Sequence, residues 1–268
     1  MPPAGMLFSY LQIPMIILVP MISAFIFGPG ILSIGVPLVV IGLIIYKGVA
    51  TPRSSLIVPT TWHGDRTGNS VNLSFDDGPD PDRTPRILEI LREHGAHATF
   101  FVIGRHAIKH PELIRKMLED GHEVANHSMD HPRTLNFAFH GRMLDQVSRG
   151  AETVMEMTDV EHEPLYRPPV GLRNPTLWRI LRQRGCQIVT WSISSRDRHI
   201  NDEQRYIERI IKRVQPGDIV MMHDGSDGPL SGPEITVRAL PGLLQRLTGM
   251  GLECVTCSQL LGIRSADH

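Results

Sequence analysis

The stretch "NLSFDDGPDP", Asn72 to Pro81, ends an apolar alternation in two adjacent carboxylates, Asp76 and Asp77, followed by a glycine and a proline. Like charges placed side by side repel, so a chain that keeps both ionised at the end of a buried strand must offer one of them a cation. Further along, "NHSMDH" sets His127 and His131 four residues apart, a spacing that on a helical turn puts both imidazoles on one face. Taken alone, that pair could be two surface side chains in a chain that has 13 histidines. Asp77 tips the balance. Two histidines and a carboxylate from separate strand ends make a three-ligand set that leaves positions open for water and substrate, as a catalytic zinc-type site requires. On this reading Asp77 joins His127 and His131 on a divalent metal, and Asp76 remains beside it as a general base.

The elements that must position these groups follow one grammar from Val71 onward: an amphipathic helix, a closing glycine, then a short apolar strand. "TPRILEILREHGAHATFFV" places Pro85 in a first turn, sets Ile87, Leu88 and Leu91 on one face, and stops at Gly95 before a strand at Ala98 to Val102. "PELIRKMLEDGHEVANHS", "NPTLWRILRQRGCQIVTWSI", "EQRYIERIIKRVQPGDIVMMHD" and "TVRALPGLLQRLTGMGLECVT" repeat the pattern. Alternation of this kind predicts an α/β fold with parallel strands covered by helices. Polar residues cluster where the strands end: Asp76 and Asp77, His127 after "EVAN", Arg167 after "PLY", Ser192 to Asp197 after "IVTW", His223 after "IVMM". Chemistry gathered at the C-terminal ends of strands favours a barrel over an open doubly wound sheet.

In order and spacing, "SFDDGP", "HSMDH", "RPPVG" and "VMMHD" resemble the motifs of carbohydrate esterase family 4, the polysaccharide deacetylases with a nodulation-factor-deacetylase-like domain, over roughly Val71 to Leu261. The resemblance implies a distorted (β/α) barrel. It also implies removal of N-acetyl groups from amino sugars with a divalent metal, most often Zn²⁺, with Co²⁺, Mn²⁺ or Ni²⁺ as alternatives. By the same resemblance Asp76 is the base, and Asp77, His127 and His131 are the metal ligands. Arg167 pairs with Asp76, and His223 is the acid that protonates the leaving amine. Val170 offers its backbone N–H to the oxyanion, and Trp191 stands at the substrate. Asp224, beside His223, reads as a loop or capping carboxylate. "WSISSRDR" departs from the family's W-x-x-D-x-x-D-W. Ser194 occupies the first acidic position, Asp197 keeps the second, and Arg198 replaces the tryptophan. Either Asp197 has taken over the tuning of His223, or the acid has lost its carboxylate partner.

Between Met1 and Tyr46 the chain has no Asp, Glu, Lys, Arg or His. This charge-free stretch splits at "FGPGI" into apolar runs of about Met6 to Ile26 and Ile31 to Tyr46, each near the ~20 residues of a membrane span. No positive n-region precedes Met6, which favours a retained anchor over a cleaved signal. The expectation is an N-terminal apolar helical hairpin as anchor over 1–48, a linker rich in Pro, Ser, Thr and Gly over 49–68, and a catalytic domain over 69–268. Lys47 and Arg53 lean the domain toward the cytoplasmic face of a bacterial membrane. A net charge of −1 gives no footprint for nucleic acid, and no protein partner is implied. Cys186, Cys254 and Cys257 are too few for a four-ligand zinc site or a disulfide framework, and "LECVTCSQLL" reads as a terminal strand. Taken together, the chain reads as a membrane-anchored N-deacetylase acting on a cell-envelope glycan or a lipid-linked saccharide. The alternative is a non-catalytic membrane-anchored glycan-binding protein with the same fold, supported by Ser194 alone.

Overall fold

Strand β1 (Ser70–Asp76) is buried at every residue but Ser70 and forms the axis of the molecule in the computed structural model, which describes residues 18–160, 164–227 and 233–263. On one side β1 pairs with β2 (Ala98–Val102), beyond which lie β3 (Glu123–Asn126), β4 (Leu165–Tyr166) and β5 (Gln187–Ile188). On the other side are β7 (Ile219–His223) and then β6 (Ile193–Ser194), while β8 (Glu253–Cys254) pairs with β1 at Ser70 and Val71. Every one of these pairings is parallel, and the order β5-β4-β3-β2-β1-β7-β6 curls into a half-barrel covered by helices. The register sets Asp76 opposite both Phe101 and His223, so the expected base and the expected acid leave neighbouring strands at the same level.

The helices follow the predicted grammar. In α3 (Thr84–Glu93), Pro85 lies in the first turn, and Thr84, Ile87, Leu88 and Leu91 are buried. Each such aliphatic side chain contributes about 1.5–3 kcal/mol by leaving water. α4 (Gly104–Lys109) and α5 (Pro111–Glu119) follow β2, and α7 (Pro175–Gln183) is capped by the Asn174 side chain, which accepts from Leu177 N–H. α8 (Glu203–Ile211) and α9 (Glu234–Gly249) flank β7. Gly95 (φ +59°) and Gly121 (φ +77°) take the left-handed conformation that ends α3 and α5. On the core side Phe75 and Phe100 stack at 5.0 Å across β1 and β2.

Three details differ from the sequence reading. The long α6 (His140–Thr158) lies outside the quoted repeat yet buries Met143, Val147, Ala151 and Val154. The terminal segment is a strand only at Glu253–Cys254. Thr256 then accepts from Gln259 N–H while the Gln259 side chain returns to Thr256 N–H, and this capping box starts α10 (Cys257–Leu261). The loop from His127 to His131 is not a helical turn: Ser128 and His131 both adopt positive φ, at 69° and 52°.

Ahead of the sheet lie two apolar helices, α1 (Leu18–Phe27) and α2 (Ile31–Ala50), separated by residues 28–30; the part of the first apolar run before Leu18 falls outside the described residues. α2 is long and apolar enough to cross a membrane. The 49–68 stretch, read as a linker, lies against the domain. Ile57 and Val58 are buried among Tyr166, Leu177 and Ile188, and Thr61 forms a bridge with Val189.

Candidate active site

Asp76, the last residue of β1, is 3% exposed. Arg167, fully buried just beyond β4, donates from Nη1 to Asp76 Oδ1 at 2.6 Å and to Ser74 Oγ at 2.9 Å. Its Nη2 donates to the Thr190 carbonyl at 3.1 Å, and its guanidinium lies 3.8 Å above the Phe101 ring. A buried cation so enclosed has one anionic partner here, and that partner is Asp76. The stiff "RPP" backbone fixes the direction of approach.

Asp77 follows at φ 73°, a turn that swings its side chain away from Asp76 and over the loop after β3. Its Oδ1 is buried without a hydrogen-bond donor and lies 3.5 Å from His127 Nε2 and 3.4 Å from His131 Nε2. The two imidazole centroids are 4.7 Å apart. Both outer nitrogens are engaged elsewhere: His127 Nδ1 on the Arg167 carbonyl at 2.7 Å, His131 Nδ1 on Asp227 Oδ2 at 3.1 Å. Burial, with repulsion from His131, lowers His127 to about 3, so its ring is neutral and presents a lone pair. An orphaned carboxylate oxygen and two inward ring nitrogens, all within 4.8 Å of one another, fit a divalent cation. The loop achieves without a helix what helical spacing was expected to achieve. Its shape is fixed by Asn126, whose Oδ1 accepts from Ser128 N–H at 2.7 Å, and by Ser128 Oγ, which accepts from His131 N–H at 3.0 Å. A Cβ at Gly150 of α6 would fall 2.4 Å from Asn126 Oδ1, so only glycine admits this contact.

His223, at the end of β7, meets Asp197 twice: its Nδ1 lies 2.8 Å from Oδ1 and its backbone N–H donates to Oδ2 at 2.7 Å. Burial opposes charge on the imidazole, but the Asp197 carboxylate more than offsets this, and Asp76 and Asp77 add to it. The net result is a raised pKa. Ser194 makes no comparable contact; its carbonyl accepts from Arg209 Nε at 3.1 Å. The carboxylate partner of His223 is therefore Asp197. Asp224 is buried under the β1 loop, accepting from Thr84 Oγ1 at 2.6 Å, and burial pushes it up to about 7. A Cβ on Gly225 would fall 2.2 Å from the Asp77 carbonyl, so this glycine lets the β7 loop close against Asp77.

Val170 stands 46% exposed at φ 51°, a conformation that costs a β-branched residue about 1–3 kcal/mol. The next residue, Gly171 (φ +71°), packs so tightly on Trp191 that a Cβ would approach its ring to 2.7 Å. Trp191 lies 5.8 Å from the Arg167 guanidinium. An open pocket of about 420 Å³ is lined by Ser194, Arg196, Asp197, Arg198, His199 and His223. Sequence reasoning missed two groups. Asp227 fixes His131 and is held well below the usual carboxylate range by hydrogen bonds from Arg133. Arg198, where the family's tryptophan is expected, bonds the outer oxygen of Asp77 and lies 3.7 Å from Asp227. The acidic residue four places beyond His223 was the available signal.

A curled parallel sheet that gathers Asp77, His127 and His131, a buried arginine–carboxylate pair and a carboxylate-backed histidine at its C-terminal rim is the α/β half-barrel that the sequence predicts. Residues 63–189 match the family model for polysaccharide deacetylase. The chain is 33% identical over 203 residues to the peptidoglycan-N-acetylglucosamine deacetylase of Bacillus cereus, covering 75% of this chain and 92% of that one. To the chitooligosaccharide deacetylase of a Bradyrhizobium species it is 35% identical over 206 residues, covering 74% and 94%. The crystal structure of the Bc1960 peptidoglycan N-acetylglucosamine deacetylase superposes with a TM-score of 0.70 at 26% identity, over 76% of this chain and 94% of that one. The chain belongs to the polysaccharide deacetylases of carbohydrate esterase family 4.

Proposed function

We propose that this chain is a metal-dependent, membrane-anchored hydrolase that removes N-acetyl groups from an amino sugar in a cell-envelope glycan or a lipid-linked saccharide. The observation that carries the reading is the donorless Asp77 Oδ1 facing the Nε2 atoms of both histidines. Asp77, His127 and His131 would hold the cation, zinc first. Such an ion supplies Lewis-acid polarisation of a carbonyl and lowers the pKa of a coordinated water. Asp76, aimed by Arg167, accepts the proton of the attacking water. His223, kept protonated by Asp197, donates to the departing amine. Val170 N–H is the backbone donor at the acetyl oxygen, and Trp191 forms a wall of the sugar site. The bond between Asp197 and His223 supplies the acid with a carboxylate partner despite Ser194, and so favours catalysis over the alternative of a non-catalytic glycan-binding protein.

Asp76→Asn tests the division of labour between the two aspartates. It should retain bound zinc at parental stoichiometry while acetate release falls by ~10²- to 10⁴-fold, the usual worth of a general base. Loss of the metal in this variant would mean that Asp76, not Asp77, is the ligand.

A further inference from the structure

Phe139 is 92% exposed and Phe137 79% exposed, on the loop that begins with the ligand pair His127 and His131 and ends at the start of α6. Single exposed apolar residues need no explanation, but these two rings have a particular neighbour. Leu135 and Ala138 pack into the same apolar cluster as Ile45 and Val49 from the last turns of α2. Consecutive residues of the segment after Val170 tie helix and loop together. Arg173, fully buried, donates to the carbonyls of Val49 (3.1 Å), Thr51 (2.6 Å) and Ser54 (2.6 Å) just where α2 ends. Asn174 donates from Nδ2 to the Asn136 carbonyl at 2.6 Å, beside Phe137. Before this clamp α2 exposes Val36, Leu38, Val39, Leu43 and Ile44, so the helix that packs beside the ring-bearing loop is itself covered in exposed apolar side chains.

We propose that Phe137 and Phe139 dock into the interfacial layer of the bilayer that α2 enters, holding the mouth of the catalytic site at the lipid surface and selecting an amino sugar carried on a lipid. The proposal rests on reading α2 as a membrane anchor. The occupant is a bilayer because the element packed beside the ring-bearing loop, through Ile45 and Val49 against Leu135 and Ala138, is a helix with the length and composition of a membrane span. Arg173 makes the pose rigid, since a domain on a loose tether would have no fixed face toward the membrane.

The full chain, reconstituted in phosphatidylcholine–phosphatidylglycerol vesicles, provides the test. Phe139→Cys and Met250→Cys are each labelled with an environment-sensitive nitrobenzoxadiazole dye, Met250 being exposed at the end of α9 just before β8. The native thiols interfere little: Cys186 and Cys257 are buried, and burial pushes Cys254 up to about 12. Dye at position 139 should emit to the blue and be quenched by lipid carrying a nitroxide near its headgroup; dye at position 250 should do neither. Water-like, unquenched emission at 139 would overturn the proposal. So would a blue shift that depends on protein-to-lipid ratio and ignores the nitroxide, which would assign the rings to a second copy of the chain. In the same vesicles the Phe137→Ser, Phe139→Ser double variant should keep its rate on a soluble acetylated chitooligosaccharide. On a lipid-anchored N-acetylglucosaminide its kcat/KM should fall about a hundredfold, roughly tenfold for each of the two lost ring burials. Equal losses on both substrates would place the rings in the sugar groove instead. Absence of deacetylation by the parent on either substrate would defeat the catalytic reading while leaving the quenching result to judge the docking.

Discussion

Ser194 shows how far single residues can be read. In the motif it occupies the first acidic position, and that made the acid's tuning an open question between Ser194 and Asp197. The folded chain places Asp197 2.8 Å from His223 Nδ1 and raises the histidine's pKa. A raised pKa keeps the acid protonated to higher pH, and the acid's titration forms the alkaline limb of the pH–rate profile. Asp197→Asn should therefore move that limb of kcat/KM downward by about one unit, while Ser194→Asp should leave it in place. A limb that moved for Ser194→Asp and not for Asp197→Asn would reverse the assignment. Asp76, Asp77, His127 and His223 were legible as candidates because each stands at or just past the end of a recognisable strand, and His131 follows from its spacing to His127. Asp227 and Arg198 were not, because their partners Asp77 and His131 lie far away in sequence, and only folding shows that a loop carboxylate reaches an imidazole.

At the level of elements, parallel strands and covering helices were legible from apolar periodicity and closing glycines. The conformation of the His127–His131 loop was not, since spacing alone cannot distinguish a helical turn from a loop shaped by Asn126 and Ser128. The 49–68 stretch was read as a linker from its Pro, Ser, Thr and Gly content. Beside the burial of Ile57 and Val58, its attachment rests on Arg173, a buried arginine distant in sequence, whose guanidinium falls to about 10 through burial and so remains charged at neutral pH. Arg173→Met removes the charged donor to the part-buried carbonyls of Val49, Thr51 and Ser54, a loss of about 3 kcal/mol once the usual worth of hydrogen bonds to a charged group is discounted for their partial exposure. For a domain of this size the unfolding midpoint in detergent should drop by roughly 6–12 °C. An unchanged midpoint would show that the packing of Ile57 and Val58, not Arg173, holds the segment after α2.

On the scale of the whole molecule, an apolar helix, a packed segment and a half-barrel converge on one rim, where β1, β3, β4 and β7 each deliver one part of the site. The separate parts matter only if they act on one acetyl group together with a cation. Acetate release from an acetylated chitooligosaccharide by the full chain in detergent, measured after treatment with a chelator and again after Zn²⁺ or Co²⁺ is added back, tests that claim directly. The site as built predicts abolition by the chelator and recovery with the metal for the parent, with no recovery for His127→Ala. Undiminished acetate release from metal-free protein, or full activity of His127→Ala without bound metal, would contradict it.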